Sequence, residues 1–206
     1  MIIKKLISIC FLMLLLGLSV YQQISDDLIV DFLDIGQGDS ILLSHQGFQI
    51  LVDGGPSARP IADNHIDWVI LSHPDADHIA GLVDVLQNYE IDTIITPPIS
   101  KSNRTIEQFF QEIDSKQINH KEITAEQSVS IGKINLHFLH PFSSELEDDV
   151  NNHSIVFRVD DGDISYLFTG DIEEEIEQEL VMRYDDELDV DILKSPHHGS
   201  RSSSTV

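Results

Sequence analysis

Beyond residue 27 the chain alternates short stretches rich in Ile, Leu and Val with stretches of helical periodicity, a pattern that restricts the fold to a few architectures. Strands are predicted at residues 28–34, 40–44, 48–53, 68–72, 91–96, 133–139, 154–160, 164–169 and 190–194. Helices are predicted at residues 78–88, 104–116 and 173–184, where apolar side chains recur at helical spacing. We therefore expect an α/β chain in which helices cover two layers of sheet, although periodicity alone does not choose the topology.

The composition predicts one globular domain without a basic surface for nucleic acid. A length of 206 residues suits one domain, and 41% hydrophobic with 23% charged residues excludes a disordered or disulfide-framework protein. Twelve Lys and Arg stand against 36 Asp and Glu, a net charge of −24, and residues 143–191 alone carry 18 acidic and 2 basic side chains. Non-specific binding to a phosphate backbone depends on Lys and Arg. Residues 101–133, with five basic and five acidic side chains, form the sizeable neutral zone of the sequence.

Residues 1–21 differ from the rest and are predicted to be a signal peptide or an amino-terminal membrane anchor. Lys4 and Lys5 precede an uncharged apolar run at residues 6–20, through which the chain would attach to a membrane if it is not cleaved. The run is shorter than the roughly 20 residues that a spanning helix prefers. Residues 27–206 would then be exported, either extracellular or held at the outer face of the cytoplasmic membrane. Because the single cysteine lies in the leader, metal ligands in the exported part must be His, Asp and Glu.

Residues able to ligate a metal are concentrated in three places, each directly after a predicted strand. The first is SHPDADH at residues 72–78, whose candidate ligands are His73, Asp75, Asp77 and His78. A polar loop in which an Asp caps the following helix is the simpler alternative. Two His and two Asp at one strand-to-helix turn favour ligation, because the turn directs their side chains toward one point.

The second place is TGD at residues 169–171, and the third is KSPHHGS at residues 194–200. Asp171 alone is also compatible with a helix cap, and the pair His197 and His198 with ordinary surface residues. Together with the first motif they form a set of imidazoles and carboxylates without sulfur. Such a set suits a hydrolytic centre for Zn²⁺ or Mn²⁺.

Five motifs in this order resemble those of the metallo-β-lactamase superfamily, and more narrowly the carboxy-terminal hydrolase domain of the ComEC family of DNA-uptake proteins. They are DIGQGDS at residues 34–40, LVDGG at 51–55, LSHPDADHIAGL at 71–82, TGD at 169–171 and LKSPHHGS at 193–200. The resemblance implies an αββα sandwich with the site along one edge of the two sheets. It also implies that the family's domain continues through further strands and another helix, so that residues 27–206 would be a hydrolase domain truncated at its carboxyl end.

The resemblance implies a dinuclear centre whose ligands come from these motifs. The expected ligands are His73, Asp75 and Asp171 for one ion, and Asp77, His78 and the bridging Asp171 for the other, with His198 as a further ligand. Asp75 stands where many members have a histidine, and a carboxylate there favours harder ions such as Mn²⁺ or Mg²⁺, or leaves the position weakly occupied. His153 is another candidate ligand, with a turn residue as the alternative. Asp53 resembles the superfamily's structural Asp, which is expected to orient a ligand histidine.

The activity that the resemblance implies is metal-dependent hydrolysis of a phosphodiester, by a phosphodiesterase or nuclease linked to DNA uptake. The substrate would be single-stranded DNA, a small phosphodiester or a similar ester, attacked by water that two divalent ions activate. Asp77, His197 and His198 are the catalytic candidates. The histidines would complete a metal shell or donate to the leaving oxygen or a phosphate, with Lys194 and Arg201 as nearby anion contacts. The alternative is a truncated or degenerate domain that binds a partner without catalysis.

Overall fold

A computed structural model of the protein describes residues 27–61, 63–144 and 149–204, together with residues 7, 9–14 and 16. The signal peptide or anchor predicted at residues 1–21 falls mainly on residues outside this description. Within the described residues, no helix is both long and apolar enough to span a membrane. The elements that position the candidate site all belong to the three longer ranges.

The first sheet has six strands that follow one another in chain order across the described residues. They are β1 (Ile29–Phe32), β2 (Ile41–His45), β3 (Phe48–Val52), β4 (His65–Ile70), β5 (Glu90–Thr96) and β6 (Asn119–Glu122). The first three strands pair antiparallel, whereas β3 to β6 are parallel. Parallel neighbours need a crossover, which is supplied by α1 (Ala76–Asn88) between β4 and β5 and by α2 (Arg104–Lys116) between β5 and β6.

The second sheet has five strands in the order β11-β10-β9-β8-β7 within the described ranges. They are β7 (Gln127–Ile131), β8 (Ile134–His140), β9 (Val156–Asp161), β10 (Ile164–Phe168) and β11 (Ile192–Leu193). Neighbours pair antiparallel except β10 and β11, which run parallel. The connection between these two contains α3 (Glu174–Tyr184). Because β10 and β11 are parallel, their carboxyl ends lie at the same edge of the sheet.

Three groups of buried side chains define the layers of the molecule. Leu43 of β2 and Phe157 of β9 belong to a cluster that lies between the two sheets. Phe109 of α2 belongs to a second cluster, in which α1 and α2 cover the outer face of the first sheet. Leu180 of α3 belongs to a third, which covers the outer face of the second sheet. The αββα sandwich expected from the sequence is therefore confirmed.

Two strands are not predicted by the hydrophobic pattern. β6 has the sequence NHKE and β7 the sequence QSVSI, and both lie at the end of a sheet. An end strand pairs on one side only, and polar side chains there oppose pairing with another chain. These strands consequently lack the apolar runs that identify the central ones.

Candidate metal centre

Three strands end at one edge of the sandwich, and the loops that follow them carry the candidate ligands. Residues 72–78 follow β4, residues 169–171 follow β10 and residues 194–200 follow β11. The Thr169 hydroxyl donates to the carbonyl of Lys194 at 2.9 Å, which joins the last two loops. The amide of Ile155, directly before β9, donates to the carbonyl of Ser72 at 2.9 Å. These two hydrogen bonds help to hold the three loops together at this edge of the sandwich, although the loops are far apart in the chain.

Four ligand atoms from these loops lie close together. The Oδ2 atom of Asp171 is 3.3 Å from His78 Nε2 and 3.1 Å from His198 Nε2. The Oδ2 atom of Asp77 is 3.9 Å from His78 Nε2 and 3.7 Å from His198 Nε2. In a tetrahedral site with bonds of about 2.0–2.2 Å, ligand atoms are about 3.3–3.6 Å apart. Asp77, His78 and His198 therefore form one group with a spacing near that of a shell around a divalent ion, and Asp171 lies close to both histidines.

His78 is held by a buried carboxylate on the side of its ring away from the four atoms. Its Nδ1 donates to Asp53 Oδ2 at 2.8 Å. Asp53 is in turn fixed by the amide and hydroxyl of Ser72, at 2.7 and 2.6 Å. A carboxylate on one ring nitrogen directs the other nitrogen to a metal. The Nε2 atoms of His78 and His73 are buried without a hydrogen-bond partner among the described residues, as expected of nitrogens that serve a metal ion.

Opposite charges at this centre shift the pKa values of its buried groups. Burial disfavours the charged form of His78, but Asp53 and Asp171 outweigh it and raise its pKa to about 10. Burial also disfavours the Asp171 carboxylate, yet His198, His78 and Lys194 hold its pKa well below the usual range. The centre therefore contains carboxylates that are stabilised by cations, which is an environment that a metal ion would also satisfy.

A second, looser group adjoins the first and shares Asp171. His73, His78 and Asp171 offer ligand atoms that lie within 4.8 Å of one another. His73 Nε2 is 4.0 Å from Asp75 Oδ2, and the Asp75 side chain is 49% exposed. Burial, helped by the neighbouring His78, lowers the pKa of His73 to about 3, so its imidazole is neutral and able to ligate. The residues that the sequence predicts for a second ion are thus adjacent, although their spacing is wider.

The loop between β1 and β2 closes the site and contributes Asp39, for which the sequence suggests no role. Asp39 Oδ2 is 2.5 Å from the Nζ atom of Lys194. The same Nζ lies 3.1 Å from Asp171 Oδ1 and donates to the Gly170 carbonyl at 2.7 Å. Lys194 is therefore buried among carboxylates and is not available for the anion contact expected of it. Asp171 uses one oxygen for this lysine and the other for the histidines.

Gly38 allows that loop to approach the candidate ligand Asp77. Its φ is +86°, and a Cβ built there would lie 1.9 Å from the carbonyl oxygen of Asp77. Only glycine fits both the left-handed backbone and the close approach. The GQGD sequence before β2 is the signal that points to this loop.

The two adjacent histidines of the last motif have different surroundings. His198 contributes to the four-atom cluster, and its Nδ1 is 3.6 Å from Asp39 Oδ1. His197 Nδ1 is instead 3.3 Å from Glu173 Oε1 and 3.3 Å from the Ser202 hydroxyl. Both residues have positive φ, 45° and 52°, so the turn directs the two rings apart. The catalytic role of His197 stays a prediction.

His153 lies apart from the candidate ligands. It is buried, and its Nε2 has no hydrogen-bond partner among the described residues. It lines a cleft with Pro74 and Lys101, and the groups of metal-ligating atoms found in the described part of the chain do not include it. Its assignment as a metal ligand stays a prediction.

Comparison with known proteins identifies the class. A family model described as the metallo-beta-lactamase superfamily matches residues 33–206, and the chain belongs to this superfamily. The metallo-beta-lactamase fold protein YhfI from Bacillus subtilis superposes with a TM-score of 0.51 at 19% identity, over 82% of this chain and 67% of that one. That likeness concerns the fold alone. The superfamily implies divalent metal ions, and the donor set described above fits them.

Curated relatives narrow the class further. ComE operon protein 3 of Bacillus subtilis (strain 168) is 29% identical over 222 residues, which cover 95% of this chain and 28% of that protein. Recombination protein 2 of Haemophilus influenzae is 31% identical over 214 residues, which cover 97% of this chain and 24% of that protein. The predicted resemblance to ComEC-family competence proteins is confirmed. The chain spans about a quarter of the length of these relatives.

Proposed function

We propose that the protein is a phosphodiesterase or nuclease that hydrolyses its substrate with two divalent metal ions. The observation that carries the proposal is the spacing of the four ligand atoms of Asp77, His78, Asp171 and His198, between 3.1 and 3.9 Å for the pairs given above. Superfamily membership supports hydrolysis as the reaction. The name of recombination protein 2 and the relationship to ComEC-family competence proteins support a nucleic-acid phosphodiester as the substrate.

Nitrogen and carboxylate ligands suit Zn²⁺ or Mn²⁺ at both positions. The four residues named above would hold the first ion, and His73, Asp75 and the shared Asp171 the second. Bound ions of this kind supply Lewis acidity, bring water to a nucleophilic state near neutral pH and offset charge on the attacking and leaving oxygens. The half-exposed carboxylate of Asp75 makes the second position the more open to solvent.

The protein's own groups orient these ligands and handle protons. Asp53 fixes the His78 ring, and Lys194 fixes Asp171. Asp77 has a side chain that is 43% exposed, so its free oxygen can accept a proton from an attacking water. His197 lies beside the cluster with its ring partly exposed, where an imidazole can donate to a leaving oxygen.

The charge of the chain restricts how the substrate is attracted. With a net charge of −24, the surface as a whole repels phosphates, so attraction has to come from the metal centre and its immediate surroundings. A single-stranded DNA and a small phosphodiester are both compatible with such a centre. Strong, salt-sensitive binding of DNA to the metal-free protein would contradict this proposal.

We also propose that this reaction takes place outside the cytoplasm, either in a released protein or at the outer face of the membrane. The support is the apolar run at residues 6–20 after two lysines, together with the lack of cysteine beyond residue 10. Fusion of residues 1–26 to a reporter that is active only after export tests this, and a reporter that stays inactive would refute it.

The hydrolase proposal is tested on the full chain loaded with Mn²⁺ or Zn²⁺. We expect two ions per chain, together with hydrolysis of bis(p-nitrophenyl) phosphate or a single-stranded oligonucleotide. Asp171→Asn should reduce kcat by at least about a hundredfold, since it weakens a shared ligand. Glu175→Gln, on the exposed face of α3, is the matched control and should leave kcat unchanged. A parent protein without bound metal and without activity would support the non-catalytic alternative.

A further inference from the structure

A small cleft opens beside the candidate metal centre. We define it by the residues that line it, which are Pro74, Pro97, Pro98, Ile99, Ser100, Lys101, Val150 and His153. Pro74 stands between the candidate ligands His73 and Asp75, so the cleft and the centre share the loop after β4. A water-sized group can occupy about 20 Å³ of the cleft. This is far below the roughly 300–1,000 Å³ of pockets that enclose whole drug-sized ligands, so the cleft suits one small group of a larger substrate, such as a single phosphate oxygen.

His153 lines this cleft and carries a buried nitrogen without a hydrogen-bond partner among the described residues. The residue is 6% exposed, and the nitrogen without a partner is Nε2. Buried polar atoms are rarely left without a partner, and each exception needs an explanation. A hydrogen bond to a substrate group that enters the cleft would provide one.

The position of His153 is fixed by both loops of the metal centre. The next residue, Ser154, accepts a hydrogen bond from the Asp171 amide with its hydroxyl, at 3.1 Å. The amide of Ile155 donates to the Ser72 carbonyl at 2.9 Å. The Ser154 carbonyl accepts from His140 Nδ1 at 2.7 Å. Because these contacts tie the segment to the ligand loops, a group bound by His153 stands at a defined position relative to the centre.

Lys101 supplies a positive charge at the rim of the cleft. It is exposed and makes no hydrogen bond or ion pair with the described residues, unlike Lys116, Lys133 and Lys194. It lines the cleft together with Pro74, which lies between His73 and Asp75 of the second ligand group.

We propose that the cleft is a second phosphate subsite, in which Lys101 Nζ and His153 Nε2 bind the phosphate group next to the scissile phosphodiester. The proposal rests on the proposed function for the scissile bond itself. It assigns His153 to the substrate and not to a metal ion. It also specifies the substrate class, because a nucleotide with a neighbouring phosphate gains contacts that an isolated phosphodiester lacks.

Binding of dithymidine ligands to the Mn²⁺-loaded full chain tests the proposal. The ligands are the dinucleotide without a terminal phosphate, with a 5′-phosphate and with a 3′-phosphate, each with a slowly hydrolysed phosphorothioate linkage. We expect one of the two phosphorylated ligands to bind about tenfold more tightly than the first in the parent protein. Lys101→Met and His153→Ala should each abolish most of that difference. Lys121→Met, which removes an exposed lysine from the end strand β6, is the control and should preserve it.

Two further measurements separate a substrate contact from other roles. The slope of log Kd against log salt concentration should fall by about 0.7 in Lys101→Met, as for the loss of one phosphate contact. Metal content should be unchanged in His153→Ala, and a loss of bound metal there would overturn the assignment. Equal affinity of the parent protein for all three ligands would overturn the subsite, even if hydrolysis is found. A preserved affinity difference without hydrolysis would instead refute the proposed function and leave the subsite as a phosphate-binding site.

Discussion

Replacing Lys194 by methionine tests how the buried charges of the metal centre are balanced. The lysine is 8% exposed, and its Nζ lies 2.5 Å from Asp39 Oδ2 and 3.1 Å from Asp171 Oδ1. Methionine retains much of the side-chain volume but leaves both carboxylates without their shared partner. Removing one partner of a buried ion pair costs about 3–5 kcal/mol. Since domains are stable by only about 5–15 kcal/mol, we expect the metal-free variant to be close to unfolding.

The same substitution should strengthen metal binding. The ammonium of Lys194 contacts Asp171 and therefore repels a cation that binds on the other oxygen of this carboxylate. At an effective dielectric constant of about 20, two unit charges about 5 Å apart interact by about 3 kcal/mol. Even after further screening, removal of this repulsion should lower the Kd for Mn²⁺ by tenfold or more. The loss of stability should therefore be smaller in saturating Mn²⁺ than in a chelator.

Urea unfolding of the full chain, in a chelator and in saturating Mn²⁺, measures both effects, and calorimetric titration gives the Kd. Lys116→Met is the matched control, because Lys116 donates to the backbone carbonyls of Leu86 and Gln87. It should cost about 1 kcal/mol and leave the Kd for Mn²⁺ unchanged. Weaker metal binding by Lys194→Met would refute the reasoning, since it would mean that the lysine acts mainly by orienting Asp171.

The remaining predictions concern the ligands and their supports. Asp53→Asn removes the carboxylate that holds His78 and should weaken metal binding by about 10–100-fold, measured as the Kd for Mn²⁺; an unchanged Kd would contradict the orienting role. Gly38→Ala should displace Asp77 and lower metal content, because its Cβ would meet the Asp77 carbonyl, whereas Gly36→Ala has the same left-handed φ but open space around the Cβ. Equal metal content in the two glycine variants would show that close approach does not matter. Chelation should lower the Tm of the parent protein, and Mn²⁺ at about 100 times its Kd should restore about 2.7 kcal/mol of stability. A Tm that changes neither on chelation nor on addition of Mn²⁺ would exclude a resident metal.

The central strands and the three helices follow from local patterns in the sequence. β3 and β4 end in apolar runs, ILV and WVI, because helices cover the first sheet on one face and the second sheet covers the other. β6 and β7 are not predicted, because an end strand with polar side chains does not need an apolar run. The proximity of the candidate ligands could likewise be predicted, since residues 73–78 lie at one strand-to-helix turn and Asp171 follows a strand through a glycine.

Contacts between distant parts of the chain could not be predicted in this way. Asp39 and Lys194 are far apart in sequence, and only the packing of the β1–β2 loop against the end of β11 brings them together. The sequence also gives no means to distinguish His197 from His198. Their positive φ values, which differ from those of an ordinary helix or strand, separate the two rings. Such conformations depend on tertiary contacts more than on local preference.

The position of Lys101 connects the charge of the whole protein with its proposed reaction. A chain with a net charge of −24 attracts a phosphodiester poorly at long range. The ammonium of Lys194 is already paired with the carboxylates of Asp39 and Asp171 inside the site. Lys101 forms no ion pair with the described residues and lies beside the loop of His73 and Asp75. The acidic surface would then oppose binding of DNA elsewhere on the protein, while the metal ions and this lysine favour it at the cleft. Selectivity for the site would arise from repulsion over the rest of the surface as much as from attraction within it.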